Sequence, residues 1–184
     1  AAERKAGLVV MGSHGHSGFE RVMLGSVTEN VLRLTDRPVL VVKGESGSPS
    51  AAGPEVHSIL CPVDLAVTPR NAFDLAVRLA AAFGARLEVL HVVEKAGSEA
   101  DVQAARERLA GWIPGELGSR CAIREFAQGG NAAEEIIAAA HESGSDLVVM
   151  ATRHKIFWDA TVLGSTAARI VRHAPCPVLA VPLP

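Results

Sequence analysis

Gly12, Ser13, Gly15, Gly25 and Ser26 form a spaced frame suited to one kind of chemistry, the holding of phosphate. Glycines let backbone N–H groups approach anionic oxygens, and a following helix N-terminus adds favourable partial charge. Other chemistries lack a residue pattern. Gly25-Ser26 has no following lysine of the kind hydrolytic phosphate loops use, so ATP hydrolysis is not indicated. No Ser/His/Asp arrangement or supported carboxylate pair points to catalysis, so no catalytic residue is assigned. His14 and His16, which flank Gly15, read as solvent-exposed loop residues. The histidines are scattered without ligand spacing and the three cysteines form no CxxC, so no metal site is expected.

The frame must be positioned by a strand and a helix. It is entered through the apolar run Leu8-Val9-Val10-Met11 and followed by a segment of helical period. The same arrangement returns 139 residues later, where Leu147-Val148-Val149-Met150 repeats the run and Leu163-Gly164-Ser165 repeats Leu24-Gly25-Ser26. Arg33 recurs as Arg172, and Pro38-Val39-Leu40 recurs as Pro177-Val178-Leu179. This is an internal duplication, with an offset of one ordinary domain length. Residues 1–43 match only the last third of the unit, so the chain is expected to begin inside a first domain. A Gly/Ser/Pro-rich linker over 44–55 follows, and 56–184 reads as a complete domain.

The complete unit alternates strands at 59–63, 87–93, 121–127, 146–150 and 177–181 with helices. Thr68 and Pro69 suit the start of the first helix, whose stripe is Ala72, Leu75, Ala76, Leu79, Ala80 and Phe83, with Gly84 as the stop. Further helices are predicted over 100–112, 131–142 and 164–173, the one over 131–142 opened by Asn131 with Glu134 placed for a capping box. Such alternation predicts an α/β fold, a parallel sheet with helices on both faces. Ligands of these sheets sit at the carboxyl ends of strands, where Asp64 and a loop over 151–165 both fall.

Bulk properties narrow the partners. A net charge of -2 gives no reason to expect nucleic acid or an anionic membrane. The apolar runs are strand-sized and no secretory signal is visible, so no membrane span is expected. Cys61, Cys121 and Cys176 read as reduced structural thiols, in keeping with a cytoplasmic location.

With these residues in view, the Gly-x2-Gly-x9-Gly-Ser frame at 12–26 and its flanks resemble the universal stress protein family. Val63-Asp64 and the segment 146–182 resemble the same family, and chains with two such units in tandem occur in it. The resemblance implies an open five-stranded sheet of order 3-2-1-4-5, with pairs of units joined along the fifth strand. It also implies stress-linked regulation, mostly without turnover. In some members it implies ATP or a related adenine nucleotide, with the aspartate on base or ribose and the Gly-Ser pair on the outer phosphates. Carried over residue by residue, the candidate nucleotide-binding positions are Gly12, Ser13, Gly15, Gly25 and Ser26 in the first copy, and Asp64, Gly164 and Ser165 in the second.

Both copies depart from the pattern. The first has no counterpart of the aspartate. The second has Ala151 and His154 where glycines stand in the family, and Leu65-Ala66 follows Asp64 where a small Gly-Ser pair is common. Ala151 is tolerable if its φ is negative and damaging if the turn needs a positive φ. His154 with Arg153 and Lys155 reads either as a rebuilt anion site or as a filled pocket mouth, and Phe157 and Trp158 as packing or a contact surface. Asp64 could equally cap its own loop. The expectation is therefore a regulatory protein with impaired or partial nucleotide binding. An ATP-driven switch or slow ATPase, and an oligomerisation module, are the alternatives. Because residues 1–43 cannot fold alone, the 38–43 strand is expected to pair with the 177–182 strand. That pairing leaves an edge at the 8–12 strand that invites a second chain, in a homodimer or a swapped assembly.

Overall fold

The computed structural model describes residues 6–13, 25–43, 55–66, 70–95, 98–152, 154–157 and 160–183. The chain runs β1 (Val9–Gly12), α1 (Ser26–Leu34), β2 (Val39–Val42), β3 (Ser58–Pro62), α2 (Asn71–Phe83) and β4 (Arg86–Val93). It continues through α3 (Glu99–Trp112), β5 (Ile123–Gly129), α4 (Ala132–Glu142), β6 (Leu147–Thr152), β7 (His154–Phe157), β8 (Ala160–Leu163), α5 (Ser165–His173) and β9 (Val178–Pro182).

Seven strands form one sheet in the order β1-β2-β9-β6-β3-β4-β5. Within it, β5-β4-β3-β6-β9 is parallel throughout and has the 3-2-1-4-5 order. The expected five strands become seven because β2 pairs antiparallel with β9 and brings β1 with it. That junction is centred on equivalent residues of the duplication. Leu40 faces Leu179, flanked by the pairs Val39–Ala180 and Val41–Val178. A local two-fold axis normal to the sheet therefore passes through the Leu40–Leu179 pair, relating β1 to β6, β2 to β9 and α1 to α5.

Local chemistry fixes the helix ends. Gly84 stops α2 in the left-handed region (φ 66°), with its N–H on Ala80 O. Ser98 and Asp101 form a reciprocal capping box for α3. Asn131 Oδ1 accepts the Glu134 N–H at the start of α4, while the Glu134 carboxylate binds Arg169 at 3.0 Å. Three boundaries differ from the sequence reading. α2 begins at Asn71 with Arg70 as N-cap, and Thr68 and Pro69 lie outside the described residues. The third strand of the complete unit is shifted to Ile123–Gly129. The expected 151–165 loop is replaced by the end of β6 and the antiparallel hairpin β7–β8, in which β8 lies against α1.

The two-residue alternation of strands builds two cores. Leu60, Leu90, Val148, Met150, Val178 and Ala180 pack under α1, α4 and α5. Ile59, Cys61, Leu87, Val89, Val149 and Val181 pack under α2 and α3. Coverage on both faces explains the near-continuous apolar strand sequences. In α2 the buried stripe is Ala72, Phe73, Ala76, Val77 and Ala80, whereas Leu75 and Leu79 are half-buried and Phe83 is exposed.

Cys61 and Cys176 are buried free thiols, and Cys121 is half-buried. Burial, with the nearby Asp74 charge second, pushes the Cys61 thiol up to about 12 from 9.0. Burial, then Asp146, pushes Cys176 up to about 11. A raised folded-state pKa means that the protonated thiol stabilises the fold fully below about pH 9, and that this is lost as pH rises towards 12. Lys43, lowered by burial, pulls the opposite way up to its ordinary 10.5. For Cys61 a shift of this size corresponds to about 4 kcal/mol. The expected result is a melting midpoint that falls steeply between pH 9 and 11, with a flatter fall in Cys61→Ala. Scanning calorimetry across that range checks it, and parallel profiles would refute the assignment.

Candidate functional site

The first-copy residues are assembled by backbone bonds at the carboxyl end of β1. The Ser13 N–H donates to Val42 O at 2.9 Å, and the Gly25 N–H returns to Ser13 O at 3.0 Å. Thr28 Oγ1 donates to Gly12 O at 2.9 Å, tying the third residue of α1 to the end of β1. Gly12, Ser13, Gly25 and Ser26 are thereby brought together. Gly15, with His14 and His16, lies outside the described residues. Gly25 is the N-cap of α1, has no side chain to cap it, and leads into exposed Ser26. Among the described residues no side chain caps the first N–H groups of the helix, an arrangement that suits an anion.

The second copy repeats this geometry with its own changes. Gly164 caps α5 at φ -57° and ψ 140°, against -61° and 140° for Gly25. It too offers no side-chain cap, and Ser165 after it is exposed. Among the described residues a Cβ added at Gly164 would meet nothing within 4 Å, and φ is negative, so none of them demands glycine there. Ala151 and Gly12 are both strand residues in equivalent register, Ala151 against Val181 and Gly12 against Val42. An extended backbone has negative φ, so the Ala151 methyl brings no strain. The backbone of His154 is in β7, paired with Leu163. The side chains of 153–163 lie outside the description, as does the choice between a rebuilt and a filled pocket mouth.

Asp64 follows β3, whose neighbours are β4 on one side and β6 on the other. This is where the strand order reverses, the position at the carboxyl ends of the strands where ligands of such sheets bind. Asp146 sets the spacing at the far end of this pair, its Oδ2 accepting the N–H groups of His57 (2.8 Å) and Ser58 (3.0 Å). Asp64 itself is exposed, and its Oδ1 accepts the Ala66 N–H at 3.0 Å. One oxygen therefore holds its own turn. His91 was not anticipated from sequence: its Nδ1–H donates to Val63 O at 2.9 Å and fixes the strand end that carries Asp64. A lone histidine in an apolar strand gives no sequence signal for that role.

The structure gathers the seven described candidates into two groups, not one. β2 is antiparallel to β9, so the carboxyl ends of β1 and β6 lie at opposite ends of the sheet. Asp64, Gly164 and Ser165 share one end, and the Gly12–Ser26 group has the other. Asp64 therefore cannot complete the first-copy site of its own chain.

A phosphate-suited glycine frame and its altered repeat lie on a seven-stranded sheet that contains the 3-2-1-4-5 order, and the universal stress protein family model matches residues 1–43 and 55–182. The chain belongs to the universal stress protein family. It is 28% identical over 196 residues to a universal stress protein of Mycolicibacterium smegmatis, covering 98% of this chain and 63% of that protein. A universal stress protein of Methanocaldococcus jannaschii is 54% identical over 43 residues, 23% of this chain and 25% of the relative. The solved universal stress protein from Archaeoglobus fulgidus DSM 4304 has a TM-score of 0.71 at 24% identity, covering 98% of this chain and 64% of that one. The chain thus spans less than two thirds of the length of these relatives.

Set against a nucleotide, the universal stress protein residues fit in part. The open space above Gly164 and the uncapped start of α5 fit a phosphate, and Asp64 stands at the crevice with one oxygen already engaged. Among the described residues no cluster of His, Cys, Asp or Glu could hold a metal ion. No helix among them is long and apolar enough to cross a membrane.

Proposed function

We propose that this universal stress protein is a tandem-type, non-catalytic regulatory protein of stress survival, with a weakened adenine-nucleotide site in residues 56–184. In this reading ATP or a related nucleotide lies across the crevice between β3 and β6. Asp64 meets the base or ribose, and Gly164 and Ser165 meet the outer phosphates. The observation that carries it is the empty space over Gly164 at an uncapped helix start, beside the point where the strand order reverses. Its φ is negative and no atom of the described residues crowds it, so the position has room for a phosphate. The weakening follows from Asp64 holding its own turn and from the loss of the glycine at 154. The Gly12–Ser26 group is a second, separate half-site.

A thermal-shift titration tests this. A nucleotide held with a Kd on the order of 0.1 mM adds about 1.4 kcal/mol at about 1 mM ligand, raising the midpoint by about 3–6 °C. A saturable rise with ATP and no phosphate release above background is the expected result. No shift with ATP, ADP or AMP at ten times that concentration would refute nucleotide binding and favour an oligomerisation module. Steady phosphate release would favour the slow ATPase.

A further inference from the structure

Asp64 follows a strand end that its two neighbours hold unequally. β3 pairs with β6 through Ile59–Leu147 and Leu60–Val148, whereas its pairing with β4 continues to Pro62–Leu90. Pro62 has no N–H to offer either neighbour. Past it, Val63 makes its hydrogen bonds to β4. Its N–H donates to Leu90 O at 2.8 Å, and its carbonyl accepts from His91 Nδ1 at 2.9 Å. A carbonyl oxygen only accepts, so His91 carries a proton on Nδ1. The Val63 carbonyl belongs to the same planar peptide unit as the Asp64 nitrogen. Pinning that oxygen therefore sets the plane from which the Asp64 side chain departs. Beyond it the turn is closed by Asp64 Oδ1 on the Ala66 N–H. His91 is half-buried and, by alternation from Val89, lies on the α2–α3 face of the sheet. The helix α5, which starts at the phosphate position, covers the other face.

We propose that His91 is the positioning residue for the nucleoside end of the nucleotide site. By holding Val63 O it keeps the Asp64 carboxylate where base or ribose meets it. The phosphate end at Gly164 and Ser165 is built on β6 and α5, without His91. This inference rests on the nucleotide reading above and adds that the two ends of the ligand are held by separately anchored parts of the fold. A change at 91 therefore acts on one end of the ligand. A histidine that served stability alone would weaken both ends alike, or neither.

The test compares ATP with inorganic tripolyphosphate by titration calorimetry on the full chain. His91→Phe keeps a ring and removes the donor, while His91→Asn returns an amide N–H close to where Nδ1 stands. His91→Phe should weaken ATP about tenfold, the order of one lost hydrogen bond, and change tripolyphosphate by less than about twofold. His91→Asn should bring ATP back to within about threefold of the parent. In an Asp64→Ala background, adding His91→Phe should change ATP affinity by less than about twofold, because the group it positions is gone. Unchanged ATP affinity in His91→Phe, or equal weakening of both ligands, overturns the proposal. Where tripolyphosphate binds too weakly to measure, the cycle with Asp64→Ala decides, and additive losses overturn it. Should His91→Phe fail to fold, His91→Gln takes its place, since its amide reaches the Nε2 position and leaves Val63 O without its donor. A parent chain that binds no ATP brings down the nucleotide reading and this inference together. A parent that binds ATP, with both ligands responding alike to His91→Phe, brings down this inference alone.

Discussion

Phe73→Ala should cost about 3–5 kcal/mol of stability, the largest effect expected of any single truncation on α2. Phe73 is 2% exposed and packs into the core between α2 and the sheet. Its ring meets Trp112 of α3 edge-on, with centroids 4.9 Å apart and planes at 63°. Trp112 is held in turn by Arg70, whose guanidinium stacks on it at 4.1 Å and donates to its carbonyl at 2.6 Å. The side chain therefore joins two helices as well as a helix and a sheet. Its neighbours are fixed by the β3, β4 and β6 ladders, so they cannot collapse to fill the space. Urea unfolding read by tryptophan fluorescence checks this, with the midpoint lowered and the slope unchanged. A loss below about 1 kcal/mol would mean that α2 is not anchored through this ring.

Gly164→Asp should have two effects of opposite sign. An aspartate at an N-cap accepts the first helical N–H groups, and added side-chain atoms at 164 meet open space. The ligand-free protein should therefore melt at the same temperature or slightly higher, by a few tenths of a kcal/mol. The same carboxylate occupies the phosphate position and repels its charge, so the ATP-induced shift should fall by at least tenfold in apparent affinity. Gly25→Asp performs the same operation at the other end of the sheet, where φ and ψ are nearly identical. If ATP stabilises the parent and Gly164→Asp alike, phosphate is not held at α5. If only Gly25→Asp removes the shift, the ligand belongs to the first-copy half-site.

Much of the fold is legible in the chain because it is written in short-range patterns. Five apolar runs spaced by helical stripes specify a parallel sheet, and Gly84, Asn131 and Gly164 mark helix ends where they were expected. The duplication made the 38–43 to 177–182 pairing predictable, and β2 does pair with β9. The hairpin at 154–163 is not legible in the sequence because each of its strands is only four residues long, too short for a periodicity to declare itself. The stripe of α2 was read too broadly for a related reason. Periodicity shows which side chains are apolar, while Leu75 and Leu79 face a groove and Phe73 faces the sheet.

The amino-acid sequence by itself determined the unit, its repeat and the residues that could hold phosphate, since glycine spacing and strand alternation are local properties. Only the tertiary structure decided how those residues are grouped. Strand direction is not written in a two-residue alternation, and the antiparallel contact of β2 with β9 turns the two glycine frames to opposite ends of the sheet. It also decided that an oxygen of Asp64 serves the Ala66 N–H, a choice set by the path of the turn after β3. The same contact leaves β1 at the sheet's edge, with Val10 exposed where its twin Val149 is buried.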